Sequence, residues 1–193
     1  MSYHIYTTKG LILSDRAHNE ADKLYSILTE DLGLIRASGR AVRKESSKLR
    51  SSLEPLSLSL ISLVKGKGMW RITGASIVEG RDRVRSIEKV FARVSALVEK
   101  LVVGEERHPE LFKILDSGIE FGHKANLDEE LLEYLEILMV TRILFELGYL
   151  SRESVPEELF AEDFNRDQLK IVSKGKKALI KSINHGLESS HLT

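Results

Sequence analysis

The sequence has no cysteine among its 193 residues. That absence excludes disulfides, thiol nucleophiles and every thiolate zinc site at once, and it is consistent with a reducing cytoplasm. Net charge is missing too. The 29 basic residues balance 29 acidic ones, so bulk charge points to no partner. There is no long apolar run. The nearest candidate, Leu135 to Leu147, is broken by Glu136, Thr141, Arg142 and Glu146. A membrane-spanning helix needs about 18 or more consecutive apolar residues, so no membrane association is expected. The opening MSYHIYTTKGLIL has no basic segment followed by a long apolar one, so no secretory leader is expected. No repeat or low-complexity stretch appears.

Catalytic sets are equally scarce. His4, His18, His108, His123, His185 and His191 are scattered, with no HxxxH or HExxH spacing. The close carboxylates, Glu105–Glu106 and Asp128 to Glu130, read as helix caps, where the helix dipole favours them. Gly66 and Gly68 belong to no phosphate-binding loop of the GxxxxGK[ST] kind. Residues 173–177, SKGKK, lie too far inside a helix to cradle phosphate with backbone amides. The expectation is a protein that is not an enzyme and carries no metal or cofactor.

What is present is an uneven distribution of charge. Residues 1–80 carry a net of +4 and residues 81–193 a net of −4, a pattern that suits a polyanion on one part of the chain. The basic excess concentrates in RASGRAVRKESSKLR, residues 36–50, with a net of +5. Its cations are Arg36, Arg40, Arg43, Lys44, Lys48 and Arg50, opposed by Glu45 alone. The segment has almost no large apolar side chain after Val42, so it is expected to be a solvated loop between two strands. Such a loop suits phosphates, because each neutralised phosphate releases condensed counterions. Charge alone is equally compatible with a basic loop that has no partner.

Around the loop the sequence reads as short strands. Residues 3–14 are apolar and β-branched, followed by the polar turn DRAHNEA at 15–21. DKLYSILTED (22–31) fits a strand or a short helix. Gly33 turns into LIRASGRAV, a third strand. LEPLSLSLISLV (53–64) alternates, with Leu56, Leu58 and Leu60 expected on one face and Ser57, Ser59 and Ile61 on the other. KGKG (65–68) is a hairpin turn with positive φ available at two glycines, and it adds Lys65 and Lys67 to the cations. Met69 to Val78 is the fifth strand. Five strands with a basic loop after the third form the OB-fold pattern, a platform for single-stranded nucleic acid. Trp70, Tyr3, Tyr6 and Tyr25 all lie in this barrel. Trp70 follows the turn near the rim, where it could stack on a base or pack into the core.

From Arg81 the apolar period becomes helical. Val84, Ile87, Val90, Phe91, Val94, Leu97, Val98 and Leu101 mark one helix, ended by Gly104. Pro109 opens a second, with Gly122 as its stop. Asp128 to Glu130 begin a third, apolar nearly all round and so expected inside a bundle. An acidic connector, 151–164, precedes a last, basic helix from Asp167 to His185. Residues 127–163 carry a net of −9, and residues 166–181 a net of +5. The reading is an α+β chain: a five-stranded OB-fold β-barrel over 1–80, then an all-α helical domain over 81–193, with the boundary near Gly80.

Asn19-Glu20-Ala21-Asp22 after the opening strand, the TEDLGLI turn, and the run of Gly39 to Lys44, Ser47 to Leu49 and Leu53 to Pro55 together resemble the RecO family of bacterial recombination mediators. HPELFKILDSGIE and ILFELGYL resemble the family's helical domain. The resemblance implies DNA repair and homologous recombination, binding of single- and double-stranded DNA, and annealing of complementary strands. It implies partnership with RecR and with the C-terminal tail of the single-stranded-DNA-binding protein, indirect loading of RecA, and a cytoplasmic, nucleoid-associated location. Carried onto this chain, the family's basic loop is Arg40, Arg43, Lys44, Lys48 and Arg50; with Arg36, Lys65, Lys67 and Trp70 these make the candidate DNA-binding set. The tail needs an apolar pocket with a cation at its rim. Arg142 is the candidate, with Lys113 and Lys124, although an ion pair with Glu146 at i+4, or with an acid on a neighbouring helix, would also explain Arg142. Many members have a four-cysteine zinc module after the LGY segment. Here an acidic linker stands in that place, and the chain is short for the family mostly through that loss. Two other readings stay open: a generic single-strand-binding OB protein, and a protein–protein adaptor with a basic docking loop.

Overall fold

The structure, a computed structural model, describes residues 4–78, 85–161 and 163–189. Tyr3, the expected boundary at Gly80, and Val84 lie outside the described residues. The chain divides into two compact units. The first holds all the strands and residues 102–112. The second holds the first helix, the second from residue 113 onward, and the rest of the chain. No helix among the described residues is long and apolar enough to cross a membrane.

The first unit is a closed five-stranded barrel of β1 (Ile5–Ala17), β2 (Lys23–Thr29), β3 (Gly33–Gly39), β4 (Leu58–Lys65) and β5 (Trp70–Ile77). The order around the barrel is β1-β2-β3-β5-β4. Every pairing is antiparallel except β3 with β5, which is parallel at Ala37↔Trp70. The expected OB-fold barrel is therefore present, and the 22–31 segment is a strand. β1 runs on through Ala17, three residues further than its apolar content suggested. Inside, Ile12, Ile27, Ile35, Ile61, Leu63 and Ile72 form the core with Tyr25 and Trp70.

On β4, Ser59, Ile61 and Leu63 are buried and Leu60 is exposed, so the expected alternation holds around Leu60, although Leu58 is buried as well. A serine can hold the inward position because its hydroxyl finds a partner: Ser59 Oγ donates to the Ser52 carbonyl at 2.6 Å. The register also shifts at Ser62/Leu63 against β5, which breaks simple alternation. In the KGKG turn, Gly66 N–H donates to the Met69 carbonyl, but neither Gly66 nor Gly68 takes a positive φ. The glycine that needs its freedom is Gly33, at φ +71. A Cβ there would stand 1.9 Å from the Glu106 carbonyl oxygen.

The second unit is helical, with α1 (Arg85–Leu101), α2 (Pro109–Lys124), α3 (Glu129–Glu146) and α4 (Arg166–Ser189). Of the apolar positions of α1 predicted from spacing, Ile87, Val90, Phe91, Val94, Val98 and Leu101 are buried and Leu97 is partly buried. Gly122 does not stop α2, which continues to Lys124. It is instead a point of close packing, where a Cβ would meet Ile87 Cδ1 at 2.1 Å. Asp128 caps α3, its carboxylate accepting from the Leu131 N–H at 2.8 Å. Ten residues of α3 are buried, as its all-round apolarity required. The acidic connector forms two short 3-10 turns, Arg152–Ser154 and Glu157–Phe160.

Candidate nucleic-acid interface

Arg36 projects from β3, and Arg40, Arg43, Lys44, Lys48 and Arg50 from the loop that follows; all six are exposed. The loop is solvated and lies between two strands, as expected, but it is also ordered. Its backbone is a succession of i→i+3 turns: Lys44 N–H to Ala41 O, Ser47 to Lys44, Arg50 to Ser47 and Leu53 to Arg50. Two apolar side chains anchor it, Val42 and Leu53, each 1% exposed and part of the barrel core. The cations are therefore held on a shaped frame, which lowers the entropy lost when a ligand orders them.

A second element braces the base of the loop. The Ala41 N–H donates to Asp22 Oδ1 at 2.8 Å, the Arg43 N–H to the Ala21 carbonyl at 3.0 Å, and the Arg43 guanidinium to the Asn19 carbonyl at 3.0 Å. The Ala41 N–H, then the Asn19 side chain, hold the Asp22 carboxyl below the usual carboxylate range. Ala41 itself sits at φ 54, and the Asp22 carboxylate secures that uncommon backbone. Asn19 and Asp22 belong to the NEAD run that carried the family resemblance, but their mechanical role was not legible there.

The remaining predicted residues divide. Lys67 is exposed in the β4–β5 turn. Lys65 is exposed but paired with Glu105 Oε2 at 2.8 Å. Trp70 is 3% exposed. Its Nε1–H donates to Glu105 Oε1 at 2.9 Å, its ring meets Tyr6 edge-on at 5.2 Å, and Lys65 lies over it at 5.0 Å. A ring so enclosed offers no face to a base, so Trp70 is a core residue and not a stacking platform. Glu105 is likewise not a helix cap. It lies between α1 and α2, and the hydrogen bond from Lys65, seconded by that from Trp70, keeps its carboxyl below its usual range.

On the helical unit, Arg142 is corrected. It is 4% exposed. Its Nε–H donates to the Leu159 carbonyl at 2.7 Å, one Nη to the Asp163 carbonyl at 3.4 Å, and its guanidinium stacks over Phe164 at 4.0 Å. Burial pushes its pKa down to about 10, well above neutrality, so it stays charged. A cation engaged inside the fold cannot stand at the rim of a pocket. Lys113 and Lys124 are exposed on α2, and Lys124 pairs with Glu120. A cleft on this unit is lined by Lys89, Val90, Arg93, Leu127 and Leu132 with Glu129, Glu130 and Glu133. Those three glutamates disfavour an acidic tail.

Barrel and loop together define a class, an OB-fold chain that displays a braced cationic loop after β3. Within that class the chain belongs to the RecO family. Residues 1–81 match the family described as Recombination protein O N terminal. A DNA repair protein RecO from Dehalococcoides mccartyi is 34% identical over 137 residues, 69% of this chain and 54% of that one. The DNA repair protein RecO of Thermodesulfovibrio yellowstonii is 28% identical over 149 residues, 75% of this chain and 58% of that one. That of Myxococcus xanthus is 31% identical over 116 residues, 58% of this chain and 48% of its own length. The chain thus spans about half the length of the curated relatives it matches.

Proposed function

We propose that this chain acts in DNA repair and homologous recombination as a non-enzymatic DNA-binding protein, with the barrel domain, 1–80, carrying the DNA. The observation that carries the proposal is the braced loop: six exposed cations on a frame fixed by Val42, Leu53 and Asp22. Its similarity to DNA repair proteins RecO supports the same reading. Arg36, Arg40, Arg43, Lys44, Lys48, Arg50 and Lys67 neutralise phosphates, and Lys65 contributes once released from Glu105. The bound strand is presented to a complementary one and annealed. The helical domain, 81–193, takes the protein partners: RecR, and the tail of the single-stranded-DNA-binding protein on exposed cations such as Lys113 and Lys124. RecA loading follows indirectly, in the cytoplasm at the nucleoid.

The experiment is a strand-annealing assay with complementary strands coated by single-stranded-DNA-binding protein. The wild-type chain accelerates annealing, and addition of RecR alters the rate. A chain that binds DNA but leaves the annealing rate at the uncatalysed value would reduce the proposal to a generic single-strand binder.

A further inference from the structure

Helix α4 carries cations that the loop does not explain. Between Asp167 and Glu188 it has no acidic residue, and it has no Phe, Tyr or Trp. Its inner face, Leu169, Val172, Leu179 and Ile183, is buried in the helical unit. Its outer face exposes Lys170, Lys174, Lys177 and Lys181. Spacings of four, three and four residues put these on one stripe. At about 1.5 Å per residue the stripe is roughly 16 Å long. That matches the axial rise of about five phosphates on one strand of a duplex.

Most of this charge is uncommitted. Lys170 lies 2.8 Å from Asp167, but both side chains are more than two-thirds exposed, so the pair is weak and exchangeable. Lys174, Lys177 and Lys181 make no ion pair among the described residues. Lys176, off the stripe, is already paired with Glu133 at 2.7 Å. The stripe is flanked by Ser173 and Ala178, both small and exposed.

We infer that the lysine stripe of α4 is a second phosphodiester-binding surface, on the helical unit, that holds nucleic acid by its backbone alone. With no Phe, Tyr or Trp on the helix, affinity there depends on phosphate charge and not on sequence. A lipid surface is disfavoured, because the apolar face that would insert beside the lysines is already buried in the unit. The inference rests on the nucleic-acid reading of the protein but not on the loop.

The test replaces Lys174, Lys177 and Lys181 with Glu in the full chain, with a Gln triple variant alongside it. Fluorescence anisotropy follows a labelled oligothymidylate, a mixed-sequence strand and a duplex over a range of salt. Loss of three phosphate contacts lowers the salt slope by about 2 on single strands and about 3 on duplex, equally for both single-strand sequences. The Gln variant moves the same way with an unchanged circular dichroism spectrum. The loop variant Arg43→Glu/Lys44→Glu is measured beside them. If it keeps the wild-type slope while the helix variants lose theirs, the loop reading fails and the helix inference stands. Helix variants with the wild-type slope overturn the inference. So does loss confined to phosphatidylserine vesicles or polyglutamate, which would assign the stripe to a lipid or a protein.

Discussion

Replacing Arg142 separates a structural cation from a binding one, and the structure sets the size of the effect. The guanidinium supplies the Leu159 carbonyl with a charge-assisted hydrogen bond at 2.7 Å and lies on the Phe164 ring. Leaving a buried carbonyl without its donor costs about 1–3 kcal/mol, and a desolvated cation–π contact is worth about 2 kcal/mol. Against these stands the cost of burying the charge. The drop in pKa from 12.5 to about 10 corresponds to about 3 kcal/mol. Arg142→Met, which keeps the apolar stem, is therefore expected to lose only about 1 kcal/mol. Arg142→Ala adds a cavity, which for large-to-alanine changes costs about 2 kcal/mol or more, so its loss should reach about 3 kcal/mol. Urea unfolding followed by helical circular dichroism reads this loss. Trp70, the sole tryptophan, reports the barrel and should keep its midpoint. An alanine variant as stable as wild type would refute the packing argument. A Met variant that folds normally but no longer binds an acidic tail peptide would restore the rim role.

Other consequences are equally direct. Gly33→Ala must adopt φ near +71 and displace Glu106. The left-handed backbone alone costs about 1–2 kcal/mol, so the Trp70 unfolding midpoint should fall by at least that much; an unchanged midpoint would mean that residues 102–108 are not packed where described. Glu105 has a folded pKa below its ordinary 4.5. Its stabilising contribution is therefore complete above about pH 4.5 and is lost as pH falls through the lowered value. Trp70 emission should shift in that acid range, and Glu105→Gln should flatten the shift. Asp22→Ala removes no cation, yet it should weaken DNA binding by freeing the Ala41 turn; affinity equal to wild type would show that the brace does not matter.

Much of the barrel could be read from the chain because its signals are local. Short alternating runs, turn residues and a change of period at Arg81 gave five strands and then helices. Where a side chain's partner lies far along the chain, the reading failed. Asp22 meets Ala41, 19 residues on, so the brace was invisible. Trp70 meets Glu105 at a separation of 35 residues, so the local sequence could not decide between rim and core. Arg142 serves a carbonyl 17 residues away, which its own helix does not reveal. On β4 the alternation was legible but not which face turns inward, because a partnered serine can face the core.

On the proposed function, the braced loop holds DNA by its phosphates. A titration of a labelled single strand with wild type and with Arg43→Glu/Lys44→Glu, repeated from low to moderate salt, tests it directly. Both residues are exposed, and surface changes usually stay within about 0.5 kcal/mol of wild-type stability, so the variant should fold. The account predicts weaker binding at low salt and a salt slope shallower by about 1.4, two phosphates at about 0.7 each. A folded variant with wild-type affinity and wild-type slope would contradict it.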